Sequence, residues 1–169
     1  MVLNDNSALI IGRFQPFHRG HLEAVRKISK RYDRIIIGLG SAQYSHTADN
    51  PFSFRERSRM IKAALDAEGI PNYTIVPIDD LHKHSEWVAH VVSLVPPFSE
   101  VFTNEPLTRR LFAESGKNVK RIPFLNRKEY CGTEVRKRMR EGADWDELVP
   151  DAVADIIRRI EGVERVKNI

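Results

Sequence analysis

Short apolar runs alternate along this chain with segments in which apolar residues return every three or four positions. Residues 8–12 form a continuous apolar stretch closed by glycine, the pattern of a short buried strand. Leu22, Val25 and Ile28 follow at helical spacing and predict a helix over 21–31. The β-branched run Ile35, Ile36, Ile37, with Leu39 beyond it, predicts a second strand beside Gly38 and Gly40. Phe54, Met60, Ile61, Ala64 and Leu65 predict a helix ending near Gly69, and 73–78 a third strand that tolerates Pro77 only near its end. Trp87, Val88, Val91, Val92 and Val95 mark an apolar helix face that Pro96 and Pro97 stop. A strand over 100–103, a helix over 106–113 and a strand over 119–122 complete the alternation.

Strands and helices in strict alternation define βαβ units, so the expected class is α/β: a Rossmann-like, mostly parallel sheet of about five strands with helices on both faces. After Ile122 the pattern changes. Val135 and Met139, then Trp145 and Leu148, then Val153, Ile156, Ile157 and Ile160 indicate short helices. We therefore expect one domain over 1–169, an α/β core over 1–130 carrying a helical C-terminal extension over 131–169. At 169 residues the chain has room for one substantial core and not for two comfortable ones.

Composition narrows the setting. A 41% hydrophobic and 30% charged chain fits a soluble globular protein. Cys131 is the only cysteine, which excludes an intrachain disulfide and a four-thiolate zinc site and fits a reducing cytoplasm. No stretch approaches the roughly 20 apolar residues needed to cross a bilayer, and no basic segment leads into a long apolar one near the start. The formal charge of +4 conceals a local bias. Arg121, Arg127, Lys128, Arg136, Lys137, Arg138 and Arg140 stand against only Glu129 and Glu134. Such a cluster suits an anionic ligand; a solvated helix face produces similar runs.

The segment Gly12-Arg13-Phe14-Gln15-Pro16-Phe17-His18-Arg19-Gly20-His21 joins the first strand to the first helix. In an open α/β sheet ligands bind at the carboxyl ends of strands, and a helix N-terminus there offers unpaired N–H groups to an anion. Gly20 lets the main chain approach a phosphate, His18 and His21 flank it, and Arg13 can grip phosphate oxygens bidentately. Two histidines near a turn can equally be solvated residues without a task. Neither the phosphate loop with Lys-Ser/Thr nor the dinucleotide glycine fingerprint is present, and no further ligands accompany His18 and His21 at zinc spacing. No metal-ligating residues are assigned.

Gly132-Thr133-Glu134-Val135-Arg136 joins a loop to a predicted helix. Thr133 is expected to cap that helix, with Arg136 one turn on and directed at an anion; an ordinary cap with a basic solvent face is the alternative. Asp80 follows the third predicted strand, while Ser41 and Gln43 follow the second, all at ligand-facing sheet ends. Trp87 lies on an apolar helix face, as a core residue or as a plane for stacking a heteroaromatic base.

Taken together, the first of these segments with Gly40-Ser41-Ala42-Gln43, Asn50-Pro51-Phe52, Trp87-Val88, Pro96-Pro97-Phe98, Gly132-Thr133-Glu134-Val135-Arg136 and Gly162-Val163-Glu164-Arg165 resembles the archaeal nicotinamide mononucleotide adenylyltransferases of the HxGH nucleotidyltransferase superfamily. The resemblance runs in order over essentially the whole chain. It implies a Rossmann-like nucleotidyltransferase fold and transfer of AMP from ATP to nicotinamide mononucleotide, giving NAD and pyrophosphate. It assigns Gly12, Arg13, Phe14, Gln15, His18, Gly20, His21, Thr133 and Arg136 to ATP, with His18, His21, Arg13 and Arg136 at the reacting phosphates. Ser41, Gln43, Asp80, His84 and Trp87 fall to the acceptor nucleotide, with Trp87 stacking on the nicotinamide ring. Mg²⁺ held mainly by ATP phosphates and water is implied, as is a homo-oligomer, a hexamer in the archaeal relatives, with no nucleic-acid or membrane partner.

Such a reaction needs no strong base, because a phosphate monoester with a second pKa of about 6 is already largely dianionic at neutral pH. The protein has to align two like-charged reactants and stabilise charge on oxygens, which arginines and imidazoles can do. Three positions depart from the family pattern: Cys131 where serine is usual, His84 where an asparagine is usual, and Asn104-Glu105-Pro106 for a Gly-Asn-Pro block. Imidazole presents a different donor and acceptor set from a carboxamide. Nicotinate mononucleotide, flavin mononucleotide and phosphopantetheine therefore stay open as acceptors, and a non-catalytic nucleotide- or RNA-binding module is the rival outside enzymes.

Overall fold

A computed structural model of the chain describes residues 6–124 and 126–169. The strands are β1 (Ser7–Gly12), β2 (Arg34–Leu39), β3 (Tyr73–Pro77), β4 (Glu100–Phe102) and β5 (Val119–Lys120). The helices are α1 (Arg19–Ser29), α2 (Phe54–Ala67), α3 (His84–Leu94), α4 (Pro106–Glu114), α5 (Gly132–Glu141), α6 (Asp151–Arg159) and α7 (Gly162–Asn168), with a 3₁₀ turn over Asp146–Leu148. Two compact units interleave along the chain. The first comprises the described residues up to Gly12, Lys27–Ala42 and Asn72–Pro123; the second comprises Arg13–Arg26, Gln43–Pro71 and Phe124–Ile169, so α1 passes from the second into the first.

The first unit carries the sheet. Its order is β3-β2-β1-β4-β5, and each neighbouring pair runs parallel. Leu9 of β1 lies in register with Ile36 on one side and Val101 on the other. The strand order reverses between β1 and β4, which makes their carboxyl ends the switch point where open parallel sheets bind ligands. Continuous burial of β1 from Ser7 to Ile11 explains its unbroken apolar run. Leu9, Ile11, Ile36, Ile78 and Val101 pack against Val88 and Val91 of α3, Val95 at its C-cap, and Phe112 of α4. Each fully buried side chain of this kind contributes about 1.5–3 kcal/mol.

In the second unit α2 packs on α6, while α7 packs on α5 and α6. Met60, Ile61 and Leu65 of α2, Val135 and Met139 of α5, Val153 and Ile157 of α6 and Val166 of α7 are buried. A reciprocal capping box starts α2: Ser53 accepts from the Glu56 N–H, and Glu56 accepts from the Ser53 N–H, worth about 1 kcal/mol. Gly142, with φ 69, closes α5 in the left-handed conformation. The chain breaks between α6 and α7 at Glu161, φ 55. Among the described residues no helix is long and apolar enough to cross a membrane.

Candidate active site

The chain leaves β1 at Gly12 and reaches α1 through the turn that begins with Arg13. Two residues beyond the end of β1, Phe14 adopts φ 53; two residues beyond the end of β2, Ser41 adopts φ 48. Side chains rarely tolerate this left-handed region, and such strain gathers at turns that handle ligands.

His18 and His21 are held by each other's main chain. The N–H of His18 donates to Nδ1 of His21 at 3.1 Å, and the N–H of His21 donates to Nδ1 of His18 at 3.3 Å. An Nδ1 that accepts a hydrogen bond carries no proton, so these partners assign each neutral ring its proton on Nε2. The rings stack with centroids 3.5 Å apart. Phe14, Phe17 and Phe124 surround His21 at centroid distances of 4.6, 5.4 and 5.7 Å. Burial lowers the His18 pKa to about 3. Burial, and then the neighbouring His18, hold His21 well below its ordinary value. Both imidazoles are thus neutral N–H donors at pH 7. Gly20 permits the arrangement, since a Cβ there would lie 3.0 Å from the His18 ring and from Cβ of Tyr130.

Beside these rings lies a cavity of about 250 Å³. It brings together Arg13, Phe14, Gln15, His18, His21, Thr133 and Arg136 from the predicted residues. Phe124, Arg127, Tyr130, Cys131 and Gly132 complete its wall. Arg127 belongs to the basic cluster visible in the sequence, whereas Phe124 and Tyr130 carry no pattern that singles them out. No carboxylate occurs among the described residues of the lining. Arg136 is buried, at 6% exposure; its Nη1 donates to the Gln15 carbonyl at 2.7 Å, and its Nε finds no hydrogen-bond partner among the described residues. Burial, then the charges of Arg13 and Arg140, push its pKa down. A crowded, desolvated guanidinium with an unmatched N–H is relieved by an incoming anion. Gly132 makes the close approach possible, because a Cβ there would meet Arg136 Nη1 at 2.9 Å and the Gln15 carbonyl at 3.1 Å.

Thr133 does not cap α5 as the sequence suggests. The N-cap is Cys131, extended at φ −145 and ψ 153 and making no side-chain cap bond, so Thr133 falls inside the first turn. The start shifts because Gly132, seated against Gln15 and Arg136, is itself the first helical residue. The N-cap side chain satisfies none of the first-turn N–H groups, and Cys131, Gly132 and Thr133 line the cavity. Gln15 lines that cavity, yet its side chain is committed elsewhere: Nε2 donates to the Phe52 carbonyl and Oε1 accepts from the Phe52 N–H, both at 3.0 Å.

In the first unit Ser41 is buried and its hydroxyl donates to Asp80 Oδ2 at 2.8 Å. His84 opens α3 and is exposed. Trp87, partly buried on α3, meets Phe112 edge to face at 5.7 Å. Gln43 belongs to the second unit and is exposed. The Asn104-Glu105-Pro106 departure has a local account: Asn104 brackets both main-chain groups of Ile122, at 2.8 and 3.2 Å, and Glu105 caps α4 by accepting from Leu107 and Thr108. A further hollow of about 310 Å³ in the first unit, walled by Tyr32, Phe102 and surface lysines, contains none of the predicted site residues.

A parallel α/β sheet whose first strand runs into a paired-imidazole turn, with an arginine-rich cavity beside that turn and no carboxylate among the described residues of its lining, defines a nucleotidyltransferase. The chain belongs to the cytidylyltransferase-like family, which matches residues 9–138, and within it to the nicotinamide-nucleotide adenylyltransferases. It is 50% identical to the Thermoplasma acidophilum enzyme of that name over 98% of this chain and 92% of the relative. Against the Thermoplasma volcanium enzyme it is 48% identical over 98% of this chain and 93% of the relative. Among solved structures, the bifunctional NMN adenylyltransferase/ADP ribose pyrophosphatase of Francisella tularensis, complexed with AMP and a manganese ion, superimposes with a TM-score of 0.78. At 21% identity that likeness concerns the fold, and the match covers 96% of this chain and 52% of the Francisella chain.

Proposed function

We propose that the protein transfers AMP from ATP to nicotinamide mononucleotide, forming NAD and pyrophosphate. The observation that carries this reading is the cavity beside His18 and His21: two neutral imidazole donors and the guanidinium groups of Arg13, Arg127 and Arg136, with no carboxylate among the described residues of its wall. A phosphate oxygen of the acceptor attacks the α-phosphorus of ATP in line; the new O–P bond forms as the bond to the β-phosphate bridging oxygen breaks, and pyrophosphate leaves. His18 and His21 donate from Nε2 to phosphate oxygens, while Arg13 and Arg136 offset charge that builds on the leaving group. No proton has to be removed from the attacking group.

Gly12 and Phe14 shape the turn, Gly20 keeps it open, and Thr133 adds its first-turn N–H to the phosphate grip. Gln15 serves through its framework bonds rather than as a phosphate ligand. The acceptor falls to Ser41 and Asp80, with Gln43, His84 and Trp87; the anchoring of Trp87 by Phe112 supports a fixed stacking plane. Nicotinamide mononucleotide is favoured by the relatives' names, and the imidazole at His84 makes nicotinate mononucleotide the acceptor to test beside it.

A divalent cation, Mg²⁺ in the first instance, would be held by nucleotide phosphates and water. Among the described residues no three histidine, cysteine or acidic side chains converge on a metal position. We further propose a cytoplasmic homo-oligomer, a hexamer by resemblance. Turnover of ATP with nicotinamide, nicotinate and flavin mononucleotides and phosphopantetheine, products identified by mass, tests the proposal. NAD formation faster than every other product supports it; no ATP-dependent pyrophosphate release with any acceptor overturns it in favour of a binding module.

A further inference from the structure

Arg57 is wholly buried, at 0% exposure, on the inner face of α2. Its Nη1 donates to the Arg13 carbonyl at 2.7 Å and its Nε to the Ser53 carbonyl at 3.3 Å. Next to it, the Gln15 carboxamide pairs with both main-chain groups of Phe52, in the manner of one strand joining another. Arg165 of α7 secures the same segment from the far side. It donates to the Pro51 carbonyl at 3.1 Å and to both oxygens of Glu56 at 2.6 and 2.9 Å. Glu56 in turn closes the capping box on Ser53.

A position needing only apolar volume is better served by leucine or methionine, because a buried guanidinium carries a heavy desolvation penalty. What the guanidinium supplies is a rigid fork of donors for carbonyls that have lost water. One of those carbonyls belongs to Arg13, the residue that begins the turn leading to His18 and His21. We propose that Arg57 is a positioning residue for nucleotide binding: it fixes the main chain at Arg13, and thereby the direction of the Arg13 guanidinium and the entry into the paired-histidine turn. Gln15 and Arg165 hold the strap on which it acts. The inference rests on the reading of the adjoining cavity as the triphosphate site.

The test compares Arg57→Met and Arg57→Lys with the unaltered protein by melting temperature, calorimetric ATP binding, and KM and kcat for ATP and for nicotinamide mononucleotide. Arg57→Met removes both donors while keeping volume; Arg57→Lys keeps the charge but not the fork. Expected for Arg57→Met is a lower melting temperature, since the Arg13 and Ser53 carbonyls are left partly buried without their donor. Its ATP affinity falls by about tenfold or more, the scale of a lost charge-assisted hydrogen bond, and the acceptor KM is unchanged. Arg57→Lys should recover part of the ATP affinity. A role confined to stability moves the melting temperature and leaves the ATP constants alone. Folded Arg57→Lys with unaltered ATP affinity overturns the proposal even where Arg57→Met fails to fold. His21→Ala, run in parallel, separates the two ideas: impaired His21→Ala with unaffected Arg57 variants removes only the strap, whereas unimpaired His21→Ala removes the reading of the cavity.

Discussion

His18 and His21 each accept the other's main-chain N–H on Nδ1, and their rings stack at 3.5 Å. A proton added to either Nδ1 would face a donor rather than an acceptor, and two stacked cations would repel. Geometry and burial therefore push the same way, toward paired neutral rings with Nε2–H as the only remaining donor on each. In the proposed reaction the transferring phosphates would meet hydrogen-bond donors whose protons stay in place across the physiological range.

His18 titrates near 6.5 when unfolded and at about 3 when folded. Between these values the unfolded chain binds the additional proton, so stability is fully present above pH 6.5 and falls progressively as pH drops toward 3. His21, lowered in the same direction, adds to the slope. Thermal melts from pH 7 to 4 should show this loss, and His18→Gln should flatten it. Activity should show no imidazole limb between pH 6 and 8, apart from that of the acceptor phosphate at about 6. A ¹⁵N spectrum showing Nδ1-protonated rings at pH 7 would contradict the assignment.

His21→Ala removes one donor and one acceptor from the pair. Loss of a key electrostatic donor costs about 10²-fold in kcat or more, so turnover should fall on that scale while far-ultraviolet circular dichroism stays unchanged. The freed His18 N–H also loses its ring partner, so His18 should show weaker stacking shifts in the proton spectrum. Turnover like that of the unaltered protein would remove His21 from the reaction.

Much of this could be read along the chain because the signals are local. Strand burial on both faces writes itself as the runs at Ala8–Ile11 and Ile35–Ile37, and a turn with Gly20 between two histidines is contiguous. The supports of that turn are not local. Gln15 and Phe52 are paired across 37 residues and Arg57 reaches Arg13 across 44, while Arg57 sits among Arg55, Glu56 and Arg59 and reads as one more charge on a helix surface. Only the fold turns it inward. The separate α7 was hidden for a related reason: Val163 and Val166 are too few to set a period, and the break is a left-handed Glu161 rather than a glycine or proline. At α5 the sequence offered Thr133 as the natural cap, and a weak hydrogen-bonding thiol occupies that place instead.

That thiol makes the cavity chemically addressable. Cys131 is partly exposed, free, and borders the space beside Arg136. Alkylation with iodoacetamide should abolish ATP turnover, since the adduct occupies the proposed phosphate position. Saturating ATP should slow the labelling severalfold by occupying the site first. Cys131→Ser should keep turnover within a few-fold of the unaltered protein and lose sensitivity to the reagent. Labelling at the same rate with and without ATP, under conditions of saturated turnover, would place the triphosphate elsewhere.

Trp87 allows packing and recognition to be measured apart. Its edge-to-face contact with Phe112 ties α3 to α4, and Phe112 is wholly buried at 0% exposure. Full truncation of a large buried aromatic costs about 3–5 kcal/mol; Trp87 is only partly buried, so Trp87→Ala should cost about 2 kcal/mol and lower the melting temperature by several degrees. Trp87→Phe restores an aromatic face against Phe112 and should regain most of that stability. If the indole also stacks on the acceptor base, Trp87→Ala raises the acceptor KM by about tenfold at a temperature where the variant is fully folded, with the KM for ATP unmoved, and Trp87→Phe falls between. A stability loss with both Michaelis constants unchanged would make Trp87 a core residue alone and leave acceptor recognition to Ser41, Asp80 and His84.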